Sequence, residues 1–109
     1  MGRRVYVAKK WEVEWGGYTD FNYLASEFIR LINILTDDNI DIYSEDFEVD
    51  KDDWNRAIEI LSKYKEGAND SIDYALGDLS MTAEEVAESM RKYLKESDPS
   101  NGYLHFTVW

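Results

Sequence analysis

The residues best suited to chemistry in this sequence are the carboxylates of one stretch, Asp37–Asp53, which we call the acidic segment. It holds nine carboxylates against a single base, Lys51, so its net charge is −8, whereas the whole chain of 109 residues carries −11. Apolar residues are threaded through it at Ile40, Ile42, Tyr43, Phe47 and Val49. A disordered acidic tail lacks such residues, so we expect an ordered segment that is held against a core by one face.

The second half of the acidic segment predicts a strand that displays carboxylates on one face. Asp46, Glu48 and Asp50 alternate with two apolar residues, so in a strand they share a face at a spacing of about 6.6 Å, twice the rise per residue. Successive phosphates along a nucleic-acid strand have a spacing of the same order. Such a ribbon could therefore occupy a Lys/Arg groove that binds DNA or RNA. The candidate partner-binding residues are Asp41, Tyr43, Glu45, Asp46, Glu48 and Asp50.

A calcium loop is an alternative use of the same carboxylates. Positions one, three, five and twelve of the window 37–48 match the ligand positions of an EF-hand loop. The sixth position is Ile42, where the sharp turn of that loop requires Gly, because a β-branched residue does not readily adopt the left-handed conformation. We therefore predict no metal site and keep calcium binding as a lesser alternative. The matching residues are Asp37, Asn39, Asp41 and Glu48.

Residue patterns for catalysis are missing from the sequence. The only histidine is His105, which we interpret as an ordinary strand residue, and nucleophilic triads need a histidine beside Ser, Cys or Thr. The sequence contains no nucleophile-elbow, phosphate-loop or dinucleotide glycine pattern. With 23 acidic residues, close carboxylate pairs are expected by chance. We therefore predict that the chain is not an enzyme, has no catalytic residues and binds no cofactor.

Charge and composition narrow the choice of partner and compartment. A net charge of −11 argues against direct binding to nucleic acid, because phosphate recognition depends on clustered Lys and Arg. The exception is residues 1–10, whose four bases we interpret as solvated or paired with the protein's own acids. The sequence has no cysteine, no signal-peptide apolar region and no apolar run near the roughly 20 residues of a membrane span. We expect a cytoplasmic protein without membrane contact, folded as a single domain over residues 1–109.

Period-two alternation at both ends of the chain predicts strands. Residues 3–15 alternate apolar and polar positions, which predicts one long strand that ends at the glycine pair 16–17. Lys9 falls on the apolar face, which we attribute to a bulge or a bend. Residues 103–109 alternate again, and the long first strand is the obvious partner for this terminal strand. Between them, the apolar residues of the acidic segment lie at even positions before Ser44 (Ile40 and Ile42) and at odd positions after it (Phe47 and Val49). This change predicts a short middle strand or a hairpin.

Four helices are predicted between these strands. Apolar stripes at helical spacing, N-cap residues and glycine stops set their bounds. Thr82 with Glu85 forms a capping box before the last helix, which is the clearest local signal in the chain. The order predicts an α+β fold, in which about four helices cover one face of a small, largely antiparallel sheet. The predicted helices run from a cap at Thr19 or Asp20 to Thr36, from a cap at Asp50 to Glu66, from Asp70 to Leu79, and over segment 81–97.

The size and charge of the chain are similar to those of phage-encoded anti-restriction and anti-CRISPR inhibitors, although no motif places it in such a family. We therefore predict a non-catalytic interaction protein whose partner is a basic protein surface, most specifically an inhibitor that mimics nucleic acid. The alternative is a general protein-binding domain that uses exposed aromatic residues while its acids are only solvated. Aromatic residues outside the predicted core stripes are Tyr6, Tyr18, Tyr23, Tyr43, Tyr103 and Trp109.

Overall fold

Helices and strands both contribute to the fold, as the sequence patterns predict. The computed structural model describes residues 5–8, 15–18, 24–97 and 99–108. Within these residues four helices accompany the four strands of one sheet, so the α+β prediction is confirmed. The strands are β1 (Val5–Ala8), β2 (Trp15–Tyr18), β3 (Asp46–Asp50) and β4 (Tyr103–Val108). The helices are α1 (Ala25–Thr36), α2 (Lys51–Lys63), α3 (Asp70–Leu79) and α4 (Ala83–Glu96).

The sheet has the strand order β2-β1-β4-β3, and every neighbouring pair is antiparallel. The terminal strand β4 lies between β1 and β3, so its predicted pairing with the first strand is confirmed. Phe106 of β4 lies opposite Val7 on one side and opposite Phe47 on the other. Strand β3, from the acidic segment, is therefore at one edge of the sheet.

The predicted single strand over residues 3–15 is wrong. The structure forms two short strands, β1 and β2, that pair with each other antiparallel. The glycine pair 16–17 therefore lies inside β2, where the sequence predicted the end of a strand. Two strands of a hairpin can produce the same alternation as one long strand, so the pattern alone does not separate them. Lys9 and the other bases of residues 1–10 lie outside the described residues.

The core lies between the helices and the inward side of strands β3 and β4. Phe28 of α1 meets Trp54 and Phe106 edge-on, with ring centroids 6.1 and 5.9 Å apart. Phe47 of β3 stacks on Phe106 with centroids 4.9 Å apart. The indole N–H of Trp54 donates to the carbonyl of Met90 at 2.9 Å, so the polar group of this fully buried ring has a partner. These contacts fix β3 against helices α1 and α2.

Local signals set most of the helix ends. Helix α3 spans the predicted residues, and Thr82 and Glu85 make both hydrogen bonds of the predicted capping box before α4. Asp50 caps α2 as predicted, and Asp52 and Asp53 lie in the first helical turn. The helix ends at Lys63, before the predicted end, because the backbone of the next residue is extended.

Helix α1 begins at Ala25, later than the cap predicted at Thr19 or Asp20. Leu24 occupies the N-cap position with a non-helical backbone and makes no side-chain capping bond. The predicted end at Thr36 is confirmed. An apolar stripe identifies the buried face of a helix, but it does not fix the residue at which the helix starts. Thr19 and Asp20 themselves lie outside the described residues.

Candidate functional site

The first part of the acidic segment is a loop held against helix α1. Asp37 ends the helix in the left-handed conformation, with φ of 58°, and its N–H donates to the carbonyl of Asn33 at 3.0 Å. The side chain of Asn33 binds the backbone of Ile40. Its amide donates to the Ile40 carbonyl at 2.8 Å, and its side-chain carbonyl accepts the Ile40 N–H at 3.0 Å. This pair of hydrogen bonds fixes the path by which the loop leaves the helix.

A turn follows and leads into strand β3. The Asp41 carboxylate accepts the N–H of Tyr43 at 2.9 Å, and the Asp41 carbonyl accepts the N–H of Ser44 at 2.9 Å. Ile40 and Ile42 are partly buried against the core, whereas the Tyr43 side chain is 71% exposed. The segment is thus ordered and attached by its apolar residues, as predicted. It contains a single short middle strand and not the alternative hairpin.

Strand β3 turns its residues alternately toward the core and toward solvent, as predicted. Phe47 and Val49 are 6% and 1% exposed, whereas Asp46 and Glu48 lie on the solvent side. Asp50 is partly buried, and its carboxylate accepts two backbone N–H groups in the first turn of α2 at 2.7 and 3.4 Å. Of the three carboxylates predicted to share this face, Asp46 and Glu48 are therefore exposed to solvent, while Asp50 is partly buried and has a capping role.

Glu48 has a neighbour that the sequence did not predict. It lies opposite His105 in the register of β3 and β4, and its Oε2 is 3.1 Å from His105 Nδ1. The His105 ring is only 7% exposed, and its Nε2 lies 3.0 Å from Asn101 Nδ2. Asn101 Oδ1 accepts the N–H of Tyr103 at 3.0 Å, so its amide nitrogen must face the ring and Nε2 must accept. Glu48 and Asn101 therefore lie beside opposite nitrogens of the His105 ring.

The acids of the acidic segment differ from those of the helices in their ion pairs. On the helices, Glu59 pairs with Lys63 at 2.9 Å, and Asp78 lies 3.8 Å from Arg30. The hydrogen bond from Lys63, and then its charge, hold the pKa of Glu59 below its ordinary value. Within the described residues, no ion pair is formed by Asp37, Asp38, Asp41, Glu45, Asp46, Asp50 or Asp52. Of the nine carboxylates, only Asp53, with Arg56, and Glu48, with His105, have such a partner within the described residues, so most of the negative charge here is not paired.

A cleft of about 580 Å³ lies apart from the acidic segment, where α2 ends and α4 begins. The Tyr64 hydroxyl donates to Asp73 and accepts the N–H of Asn69 at 3.2 Å, while Asp73 also accepts the N–H of Gly67 at 3.0 Å. Partial burial raises the pKa of Tyr64, and the hydrogen bond to Asp73 raises it further. The Tyr64 hydroxyl thus links the residue that follows α2 to helix α3 as a hydrogen-bond donor. The sequence did not single out this cleft.

The described residues do not form a calcium loop. No group of three or more His, Asp or Glu side chains among them is arranged to hold a metal ion. The window 37–48 runs into a strand, so Glu48 lies in β3 beside His105. In an EF-hand, the loop connects two helices and its last ligand binds the ion in bidentate fashion. The geometry therefore gives the calcium alternative no support.

Comparison with known proteins gives no independent indication of function. No protein-family model, curated protein or solved structure matches this chain. Among the residues that the structure describes, no helix combines the length and the apolar character needed to cross a membrane. What the chain does must therefore be inferred from the geometry and charge of its own residues.

Proposed function

We propose that this chain is a non-catalytic, cytoplasmic interaction module that presents carboxylates to the Lys/Arg groove of a nucleic-acid-handling protein. It acts as an inhibitor by mimicking nucleic acid, in the style of anti-CRISPR and anti-restriction proteins. The observation that carries this proposal is the solvent side of β3, where exposed Asp46 and Glu48 alternate with buried Phe47 and Val49. Because the apolar residues are fixed in the core, the carboxylates are displayed on a rigid strand.

The loop before β3 extends the same negative surface. Asp37, Asp41 and Glu45 are exposed, and residues 37–50 contain no Lys or Arg. The Asn33–Ile40 pairing and the turn at Asp41 hold the loop in one conformation. Preorganised charge loses little conformational entropy on binding and steers a basic partner toward the surface. Both effects favour an electrostatic inhibitor.

Spacing along β3 also supports mimicry. Asp46 and Glu48 are two residues apart in a strand, so their backbone positions are separated by about 6.6 Å. A groove that binds successive phosphates uses Lys and Arg side chains at a comparable spacing, and these could pair with the carboxylates instead. Asp50 continues the row while it caps α2.

The test is displacement of DNA from purified restriction and RNA-guided nucleases. A fluorescent DNA duplex is bound to each nuclease, and this protein is titrated in at increasing salt concentration. We expect displacement from at least one nuclease, with an affinity that falls steeply as salt screens the contacts. The double reversal Glu45→Lys with Asp46→Lys should abolish displacement. It leaves Glu48 in place, because Glu48 contacts His105 and its loss could also affect the fold.

A matched control has the same change in net charge at another site. Glu59→Lys with Glu66→Lys reverses two exposed acids that lie on α2 and just after it. This variant should displace DNA as the unchanged protein does. The proposal is contradicted if no nuclease is bound, if binding is insensitive to salt, or if both double variants lose activity equally.

A second candidate is protein binding through aromatic contacts, with the acids only solvated. It is favoured by two exposed rings near the acidic face: Tyr43 is 71% exposed and Tyr103 is 46% exposed. Tyr103 lies opposite Asp50 in the register of β3 and β4. If this function is the correct one, Tyr43→Ala with Tyr103→Ala removes binding while the Glu45 and Asp46 reversals leave it intact. Of the other aromatic residues outside the predicted core stripes, Tyr23 and Trp109 lie outside the described residues, and Tyr6 and Tyr18 are placed only by their backbone positions in β1 and β2.

A further inference from the structure

Strand β3 has an open side along its backbone. It is the last strand in the order β2-β1-β4-β3, so its only neighbour within the described sheet is β4. The N–H of Lys51, which directly follows the strand, donates to the carbonyl of Gly102 at 2.9 Å. In an antiparallel ladder, hydrogen-bonded pairs alternate with pairs that are not bonded to each other. The bonded pairs on β3 are therefore those of Phe47 and Val49.

It follows that Asp46 and Glu48 direct their backbone N–H and C=O groups away from β4, as does the N–H of Asp50. The Asp50 carbonyl belongs to the N-cap position of α2. In the register, these three residues lie opposite Thr107, His105 and Tyr103 of β4. These are the same three residues whose carboxylates were predicted to share the solvent face. Hydrogen-bonding groups of the backbone and negative side chains thus follow one line along the edge of the sheet.

An open edge can pair with another extended chain, and its charge decides which chain fits. A second copy of β3 would place its own acids opposite Asp46 and Glu48, and like charges in cross-strand positions are destabilising. A strand with Lys or Arg at alternate positions would instead gain cross-strand ion pairs together with backbone hydrogen bonds. Charge complementarity therefore favours a basic occupant over self-association.

We propose that the open edge of β3 is the docking site for an extended, basic segment of a partner protein, which adds to the sheet beside β3. The proposal rests on the acidic surface of the proposed function and deepens it, since it specifies the conformation of the partner segment. The strand has five residues, so the docked segment is short. Where β3 runs into α2 at Lys51, strand pairing must end.

Peptide binding tests the proposal directly. The probe is a short synthetic peptide of alternating lysine and threonine, and calorimetry measures its affinity for the full chain. A matched peptide carries N-methyl groups on the backbone nitrogens of its lysines, the residues that would lie opposite Asp46 and Glu48. This change removes the backbone donors that would face β3 but keeps every charge. We expect the unmodified peptide to bind and the methylated peptide to bind more weakly by about tenfold, as expected for the loss of one or two hydrogen bonds.

Hydrogen exchange locates the contact on the protein. The Glu48 amide faces the open edge, so its exchange should slow by about tenfold or more when peptide is bound. The Phe47 and Val49 amides already donate to β4 and should be protected with or without peptide. Equal affinity of the two peptides, no measurable binding of the lysine peptide, or an unchanged Glu48 amide overturns the proposal.

Two substitutions of Asp46 distinguish the contribution of its backbone N–H to peptide binding from that of its carboxylate. Asp46→Asn removes the carboxylate and keeps the N–H, whereas Asp46→Pro removes both and leaves the ladder to β4 intact, since that N–H points outward. We expect the Pro variant to bind the peptide several-fold more weakly than the Asn variant, and equal binding overturns the proposal. If edge docking fails while Glu45→Lys with Asp46→Lys still abolishes DNA displacement, the proposed function stands without it. If the unchanged protein also fails to displace DNA from any nuclease, both the edge-docking proposal and the proposed function are rejected.

Discussion

The acidic segment and helix α4 are both rich in acids, but their carboxylates have different partners. In α4, Glu85 completes the capping box with Thr82, and Glu88 pairs with Arg91 at 2.5 Å. In the acidic segment, Glu45 and Asp46 have no ion-pair partner among the described residues. The difference teaches that acid content alone does not mark a binding surface. Acids with local partners stabilise the helix that carries them. Acids without partners leave a negative potential that attracts positively charged groups from solvent.

Replacing Phe47 by Ala should have the largest effect, because Phe47 attaches the acidic face to the core. Its side chain is 6% exposed and stacks on Phe106 with ring centroids 4.9 Å apart. We expect the free energy of unfolding, measured by chemical denaturation, to fall by about 3–5 kcal/mol. The control is Tyr43→Ala, which removes an exposed ring from the same segment and should cost less than about 0.5 kcal/mol. Equal losses would contradict the division of the segment into an attached side and a solvent side.

The next largest effect is the difference in unfolding free energy between substitutions of two carboxylates of β3, Asp50 and Asp46. Asp50 accepts two N–H groups at the start of α2, so Asp50→Ala should lower the free energy of unfolding by about 1 kcal/mol. Asp46 makes no such bonds, so Asp46→Ala should change it by no more than about 0.5 kcal/mol. Thermal and chemical denaturation of the two variants provide the comparison. If Asp46→Ala is as costly as Asp50→Ala, Asp46 has a structural partner and loses its place in the proposed surface.

The capping roles and the alternation of β3 could be predicted because they depend on residues close in sequence. Asp50 precedes the helix it caps, and Thr82 and Glu85 are three residues apart, the spacing of a capping box. The solvent side of β3 follows from period two alone. Local periodicity is therefore sufficient to assign Asp46 and Glu48 to the side of the strand that faces solvent.

Contacts that depend on strand register could not be predicted. Glu48 meets His105 only because β3 and β4 pair in one register, and the alternation of each strand is compatible with several. The bonds between Asn33 and Ile40 could not be predicted either, since an Asn on a helix has many possible partners. The prediction of one long strand over residues 3–15 failed for another reason: alternation does not show where a chain turns back, and β1 in fact pairs with β2.

The hydrogen bond between Tyr64 and Asp73 gives an acid with a local partner, Asp73, and the contribution of this bond to stability can be tested by changing the pH. Burial and the hydrogen bond to Asp73 raise the pKa of Tyr64 in the folded state, so this contribution is present below the ordinary value of about 10. That contribution is lost as the pH rises through the higher pKa of the folded state. The difference in unfolding free energy between the unchanged protein and Tyr64→Phe should therefore shrink as the pH rises from about 8 to about 11. Tyr74→Phe, at a ring that is 70% exposed, is the control for removal of a tyrosine hydroxyl from the surface.

The smallest effect should come from neutralising Glu45 and Asp46, and it should have the opposite sign. Glu45→Gln with Asp46→Asn removes like charges that lack partners, so we expect a gain in unfolding free energy of no more than about 0.5 kcal/mol at low salt. The gain should vanish near 1 M salt, where the screening length is about 3 Å. Glu88→Gln on α4 is the control, and it should lose stability because Arg91 loses one of its two carboxylate partners. Destabilisation by the double neutralisation would show that these acids support the fold. A gain in stability, combined with loss of DNA displacement by the same variant, would instead mean that their role lies outside the fold, in contact with a partner.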